Sequence, residues 1–272
     1  MTFSSRTAFI GGGNMASAII GGCIAHGVAA DSIVVVEPSD AQRTVLQNQF
    51  GVLAIACADE RLSGCDAVIW AVKPQVLKEV ARSTAPLLSQ NALHLSVAAG
   101  VSSDSLAAWL GTERIVRAMP NTPALVGQGA TGLFARAAVS QEQRARVDDL
   151  LAATGLVLWV EDEALLEAVT AVSGSGPAYF FYVMEAMTDA GERMGLPREV
   201  AQRLAIATCT GAGVLAGQSD EPPALLRERV TSKGGSTHEA IEVMRQRDLS
   251  GVIDEAMRAC AARAREMGQL FG

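Results

Sequence analysis

TAFIGGGNMASAII, residues 7–20, is the stretch on which the fold turns. A short apolar run ends at Ile10, three glycines follow, and an apolar stretch from Met15 to Ile24 resumes without a proline. Strand, glycine turn and helix in that order match G-x-G-x-x-A through Gly11, Gly13 and Ala16, the first crossover of a dinucleotide-binding sheet. Gly11 permits the tight turn, and Gly13 lets backbone approach a pyrophosphate. Ala16 is small enough for close helix–strand packing. The helix N-terminus, with Asn14 and Met15, faces the phosphates.

Working outward, the pattern repeats. Ile33–Val36 is a β-branched run closed by Glu37-Pro38-Ser39-Asp40, with Ser39 or Asp40 able to cap the helix after it. Val52–Ala56, Ala67–Val72, Leu93–Ala99 and Ile115–Met119 are further apolar runs, and Ala130–Ala135 and Leu156–Val160 follow. Runs without polar alternation suit a parallel sheet covered on both faces, so the expectation is α/β: an N-terminal Rossmann-type doubly wound sheet. From Ala164 strand signals stop and helical ones take over, through Ala164–Val172, Ala178–Met194, Val200–Ala216, Pro223–Val230, His238–Arg245 and Leu249–Gly268. The boundary is placed near Asp162, giving residues 1–162 as the dinucleotide-binding domain and 163–272 as an all-helical dimerisation and substrate-binding domain. The stretch Pro177–Met187 has Glu185 as its only charge. A helix apolar on most faces needs cover on all sides. The reading is an intimate homodimer; its alternative is the central helix of a monomeric bundle.

At 272 residues two domains are expected. Hydrophobic residues at 49% and charged residues at 19% exclude a disordered chain, and a net charge of −7 argues against nucleic acid as partner. Cys23, Cys57, Cys65, Cys209 and Cys260 form no C-x-x-C, and His26, His94 and His238 form no cluster. Neither a disulfide framework nor a metal site is suggested; buried free thiols in a reducing cytoplasm are the expectation. The N-terminal MTFSSRTAFIGGG lacks the charged and apolar regions of a signal peptide, and no apolar stretch reaches the roughly 20 residues of a membrane span. A cytoplasmic protein with no membrane partner is expected.

Several polar residues sit where this fold places ligands. Glu37 ends the second strand and could accept both ribose hydroxyls of NADH, or stand as a solvated strand end. Ser39 and Arg43 follow closely and could hold the 2′-phosphate of NADPH, so the residues leave the two cofactors open. Val72-Lys73-Pro74 closes the fourth strand on the same edge; Lys73 could reach the cofactor or be a surface lysine. Asn121, in Met119-Pro120-Asn121-Thr122-Pro123, could hydrogen-bond near the nicotinamide or belong to a structural turn. In the helical half, Ser173-Gly174-Ser175-Gly176-Pro177 opens the apolar helix. Further on, Ser232-Lys233-Gly234-Gly235-Ser236-Thr237 leads into another. Ser236 and Glu239 have capping-box spacing, and the glycines free the preceding N–H groups to converge on a carboxylate. An ordinary capped helix is the plainer alternative.

GGGNMASAIIGG (11–22), AVKPQ (71–75), RAMPNTPA (117–124), SGSGPAYF (173–180) and RVTSKGGSTHEAI (229–241) together resemble the pyrroline-5-carboxylate reductase family of proline biosynthesis. The resemblance implies a Rossmann domain and a helical domain that interlocks in a dimer, with rings of five dimers in some members. It implies NAD(P)H-dependent reduction of the cyclic imine Δ1-pyrroline-5-carboxylate to L-proline, with NADPH the commoner cofactor and Glu37 the residue that puts this in doubt. Gly11 to Ala16 and Val72, Lys73 and Pro74 would contact the cofactor. Ser232, Gly234, Gly235 and Ser236 would hold the substrate carboxylate, and Thr237 would hydrogen-bond the ring nitrogen as the catalytic residue. Such a reaction requires placement rather than a strong acid or a metal. A hydroxyacid dehydrogenase shares the domain order but uses a lysine in the helix after the SGSG-like turn, and residues 177–183 offer none. A nucleotide sensor, the second rival, needs no second anion turn.

Overall fold

The structure is a computed structural model that describes residues 6–271. The reading of Met1 to Ser5 as free of a secretion signal lies outside the described residues. Eight strands form one sheet in the order β3-β2-β1-β4-β5-β6-β7-β8: Arg6–Ile10 (β1), Ile33–Val36 (β2), Leu53–Ile55 (β3), Cys65–Trp70 (β4), Leu93–Ser96 (β5), Ile115–Met119 (β6), Gly129–Ala135 (β7) and Gly155–Trp159 (β8). The order runs outward both ways from β1 and β4, the signature of a doubly wound sheet.

Alternate side chains along each strand enter opposite cores. On one face Phe9, Ile33, Val35, Ala67 and Ile69 pack with Ala16, Ile19 and Ile20 of α1 (Asn14–Ala25), Leu46 of α2 (Asp40–Phe50) and Val147 and Leu150 of α5 (Gln141–Leu151). On the other, Ile10, Val34, Val68 and Trp70 pack with Leu77 and Ala81 of α3 (Pro74–Thr84) and Leu106 and Trp109 of α4 (Ser103–Leu110). Burial on both faces is why these strands read as unbroken apolar runs. One step departs from the all-parallel expectation: β7 runs antiparallel to β6, then β8 returns parallel to β7. The reason is length. Only residues 120–128 join β6 to β7, and a parallel crossover needs a dozen or more.

The helical half contains α6 (Leu165–Val169), α7 (Gly176–Arg193), α8 (Arg198–Gly217), α9 (Pro223–Arg229), α10 (Ser236–Gln246) and α11 (Leu249–Phe271). Where sequence predicts one helix over 164–172, α6 instead widens into a π turn at Thr170–Gly174. Two compact units divide the chain: one runs through Ser175 and resumes at Cys260, within α11, and the other is Gly176–Ala259, all helical among the described residues.

In the helical unit, α7 packs along α8 through small contacts, with Gly191 against Ala201. The aromatic stretch of α7 is open: Phe180, Phe181 and Tyr182 are 59%, 62% and 72% exposed. A central helix of a monomeric bundle would have these rings covered, so that alternative fails. Among the described residues no helix is long and apolar enough to cross a membrane. All five cysteines are free, but only Cys23 and Cys65 are buried; Cys57 is exposed, contrary to the expectation of uniformly buried thiols.

Candidate active site

The carboxyl ends of β1, β2 and β4 lie side by side, and the residues singled out from the first half gather there, Asn121 after β6 excepted. Gly11 turns with φ of +97°, and its N–H donates to the Val36 carbonyl at 2.8 Å. A Cβ here would lie 2.8 Å from the Ala71 carbonyl carbon and oxygen, so only glycine fits. Val72 lies over the same turn, its Cγ1 3.0 Å from that hypothetical Cβ. Gly13 caps α1 without any side-chain hydrogen bond, and a Cβ there would meet nothing within 4 Å. Asn14 is exposed, Met15 half-buried and Ala16 buried against the sheet. The first turn of α1 carries no acidic residue. Its N–H groups thus face open space with the positive end of the helix dipole behind them, a cradle that suits a pyrophosphate.

Glu37 sits at the carboxyl end of β2, beside the glycine turn. Its carboxylate accepts from the Gly12 N–H and the Ser39 N–H, each at 2.9 Å, so it is neither free nor simply solvated. Gln42 Nε2 donates to the Gly12 carbonyl at 2.6 Å, a tie that no sequence motif announced. Ser39 caps α2, accepting from the Gln42 N–H at 3.4 Å. Arg43 donates to the carbonyls of Glu37 and Pro38 at 2.9 and 2.8 Å and pairs with Asp40. The two groups that could have met a 2′-phosphate are therefore engaged locally. Lys73 is exposed at the N-cap of α3, and Pro74 takes its first helical position. Asn121, at the end of β6, is buried; Nδ2 donates to the Ser173 carbonyl at 3.0 Å and Oδ1 accepts from the Ala130 N–H at 2.9 Å.

In the helical unit, Ser232 to Gly235 form a tight turn, with the Gly235 N–H donating to the Ser232 carbonyl at 3.0 Å and Gly234 at φ of +73°. A Cβ on Gly235 would lie 2.7 Å from Ser232 Oγ. The expected capping box between Ser236 and Glu239 is not formed. Gly235 is the N-cap, Ser236 is already the first helical residue, and no side chain caps the helix. Glutamate reaches back only to a residue outside the helix, so the one-residue shift disconnects Glu239, which instead lies 3.5 Å from His238 Nδ1. The N–H groups of Ser236 and Thr237 are left without a side-chain acceptor, beside the exposed Thr237 hydroxyl. Such an end suits a carboxylate. Among the described residues no group of three or more His, Cys, Asp or Glu is placed to hold a metal.

A doubly wound sheet with an open glycine turn at its first crossover, followed by a helical half with exposed apolar faces, defines a nicotinamide-dependent oxidoreductase that associates through its helices. Residues 163–267 match the family described as pyrroline-5-carboxylate reductase dimerisation, and residues 6–100 match NADP oxidoreductase coenzyme F420-dependent. The pyrroline-5-carboxylate reductase of Pseudomonas aeruginosa is 46% identical over 268 residues, 98% of each chain, and that of Arabidopsis thaliana is 38% identical over 98% of this chain and 96% of its own. A solved pyrroline-5-carboxylate reductase from Coxiella burnetii superposes with a TM-score of 0.92 at 40% identity, covering 97% of this chain and 98% of its own. The Plasmodium falciparum enzyme, solved with NADP bound, gives 0.86 at 27% identity, over 98% of this chain and all of its own. The chain belongs to the pyrroline-5-carboxylate reductase family, oxidoreductases that reduce this cyclic imine.

Proposed function

We propose that this chain reduces Δ1-pyrroline-5-carboxylate to L-proline with NADH in preference to NADPH, as a homodimer, with the residue roles that follow. The observation that carries the cofactor choice is the Glu37 carboxylate, held by the N–H groups of Gly12 and Ser39 at the end of β2. A carboxylate there can accept from ribose hydroxyls but repels a 2′-phosphate. At partly exposed sites two like charges about 4 Å apart cost on the order of 1–4 kcal/mol. Arg43, tied to two carbonyls and Asp40, is not placed to offset that repulsion.

Gly11, Gly13, Asn14, Met15 and Ala16 hold the pyrophosphate on backbone N–H groups. Val72, Lys73 and Pro74 wall the ribose next to it. The bound dinucleotide supplies the hydride. The turn of Ser232, Gly234, Gly235 and Ser236 holds the substrate carboxylate and so fixes the ring. As the hydride joins the imine carbon, the C=N π pair moves to nitrogen, whose proton comes from solvent or is already present on the imine. Thr237 hydrogen-bonds this nitrogen and orients the ring. A hydroxyl of ordinary acidity is an orienting partner here rather than an acid.

The test follows loss of reduced-nicotinamide absorbance with freshly prepared imine and either cofactor. Imine-dependent oxidation several-fold faster in kcat/KM with NADH is the expected result; a preference for NADPH overturns the reading of Glu37. Thr237→Val should lower kcat/KM by about 10²-fold, the scale of a lost alignment.

A further inference from the structure

We propose that Asn121 is a positioning residue: it pins the π turn of residues 170–174 over the carboxyl end of β6, so that this backbone, and not the Asn121 amide, borders the nicotinamide end of the cofactor. The inference rests on the reductase reading above. Sequence left Asn121 open between the nicotinamide end, because its strand ends on the ligand-binding edge, and a structural turn. The structure shows what its side chain does there. Nδ2 donates to the Ser173 carbonyl at 3.0 Å and Oδ1 accepts from the Ala130 N–H at 2.9 Å. One partner is an acceptor and the other a donor, so only one orientation of the amide serves both. The side chain is 9% exposed with both polar atoms engaged, which leaves it poorly placed to serve a ligand as well.

The segment it holds is unusual in itself. The Ser175 N–H donates to the Thr170 carbonyl at 2.8 Å, a five-residue step that widens the helix. Single π turns inside helices are frequent at functional sites, and here the carbonyl of Ser173 has no helical partner because the residue four further on, Pro177, carries no N–H. Asn121 satisfies Ser173. The neighbouring Gly174 fits against the same strand end: a Cβ there would lie 2.6 Å from Met119 Cε. On the far side Cys260 Sγ donates to Ser175 Oγ at 3.2 Å. The π turn is thus fastened at three consecutive residues, two of them to the end of β6. β6 is parallel to β5, and β5 to β4. Its carboxyl end therefore shares the edge of the glycine turn, on the half of the sheet away from β2 and β3. A dinucleotide lying across the switch point between β1 and β4 brings its nicotinamide to that half.

Asn121→Asp is the sharpest probe. It keeps the acceptor for Ala130 but sets a carboxylate oxygen against the Ser173 carbonyl. Three readouts are expected to separate: kcat for imine reduction falls about 100-fold, the scale of an ångström of misplacement; the dissociation constant of NADH in the binary complex, read by fluorescence, stays within twofold; and amide hydrogen exchange of the 170–176 segment speeds up at least tenfold. Gly174→Ala, which disturbs the same turn without touching Asn121, should repeat the pattern more weakly and serves if the aspartate variant does not fold. A dissociation constant that rises in step with the loss of kcat makes Asn121 a cofactor ligand and overturns the proposal. Unchanged exchange with unchanged kcat overturns it too. Should the wild type reduce no imine, the reductase reading falls, while the exchange result alone still decides whether Asn121 holds the turn.

Discussion

Glu37 is the single side chain on which the proposed choice between two nearly identical cofactors turns. It was legible in the sequence as an acidic residue at the end of a strand, about 20 residues after the glycine turn. Its bond to Gly12, 25 residues away, was not, because it depends on how the turns after β1 and β2 approach each other; the bond to Ser39 is local. Glu37→Gln keeps the shape and one acceptor while removing the charge. We expect kcat/KM for NADPH to rise about 10-fold relative to NADH, the equivalent of roughly 1.4 kcal/mol of removed repulsion; parallel steady-state assays check this. Gly11 makes the opposite case, a residue type the sequence determines outright. At φ of +97° with the Ala71 carbonyl 2.8 Å from any Cβ, Gly11→Ala combines backbone strain of about 1–2 kcal/mol with a clash against main chain that cannot rotate away. A lower melting temperature and loss of binary NADH binding are expected together.

At the scale of elements, two helix starts contrast. Ser140 before α5 forms a full capping box with Gln143, with N–H to oxygen distances of 3.0 and 3.2 Å. Ser140→Ala should cost about 1 kcal/mol of unfolding free energy and leave kcat unchanged. Ser236 has the same spacing to Glu239, but it is already the first helical residue, Gly235 takes the N-cap position and no side chain caps the helix. Ser236→Ala should then stay within about 0.5 kcal/mol by denaturant titration, whereas a formed box would lose about twice that or more. The pattern S-x-x-E records a possibility that register either realises or does not. The same limit applies to the π turn. Apolar periodicity over 164–172 reads as a helix and carries no sign of the widened turn, at which Met119 lies against residue 174 and Asn121 bonds the carbonyl of residue 173. Strands were easier, since burial on both faces leaves a run that local composition reports directly. The reversed direction of β7 was not visible in the run itself, although the nine-residue connection before it was the available signal.

The whole molecule carries two consequences. Trp70 Nε1 donates to His94 Nδ1 at 3.2 Å across neighbouring strands, and burial, with a smaller push from Arg114, holds His94 down at about 4. Above pH 6.5 the imidazole is neutral folded or unfolded and folding carries no penalty. As pH falls from 6.5 the unfolded chain takes up the proton first, and stability is lost until about pH 4, by roughly 3 kcal/mol in all. His94→Gln should flatten the fall in melting temperature between pH 7 and 4.5, at the cost of a lower value at pH 7. The second consequence is assembly. Phe181 and Tyr182 of α7 stay largely exposed in the single chain, within the stretch that matches the dimerisation family. Phe181→Glu should shift the sedimenting species from dimer to monomer at micromolar concentration, and imine reduction should fall with it while binary NADH binding survives.

By itself the sequence determined the doubly wound half, the glycine turn, the family and the need for cover on α7. Each of these is local or nearly so: glycine where a Cβ cannot fit, apolar runs where both faces are buried, a helix with one charge in eleven residues. Tertiary structure alone decided which side chains touch. It placed the Glu37 carboxylate on the Gly12 N–H 25 residues away, Asn121 on the Ser173 carbonyl 52 residues away, and left α10 without a side-chain cap. A hydrogen bond between distant residues follows from how elements pack, and no spacing along the chain encodes it.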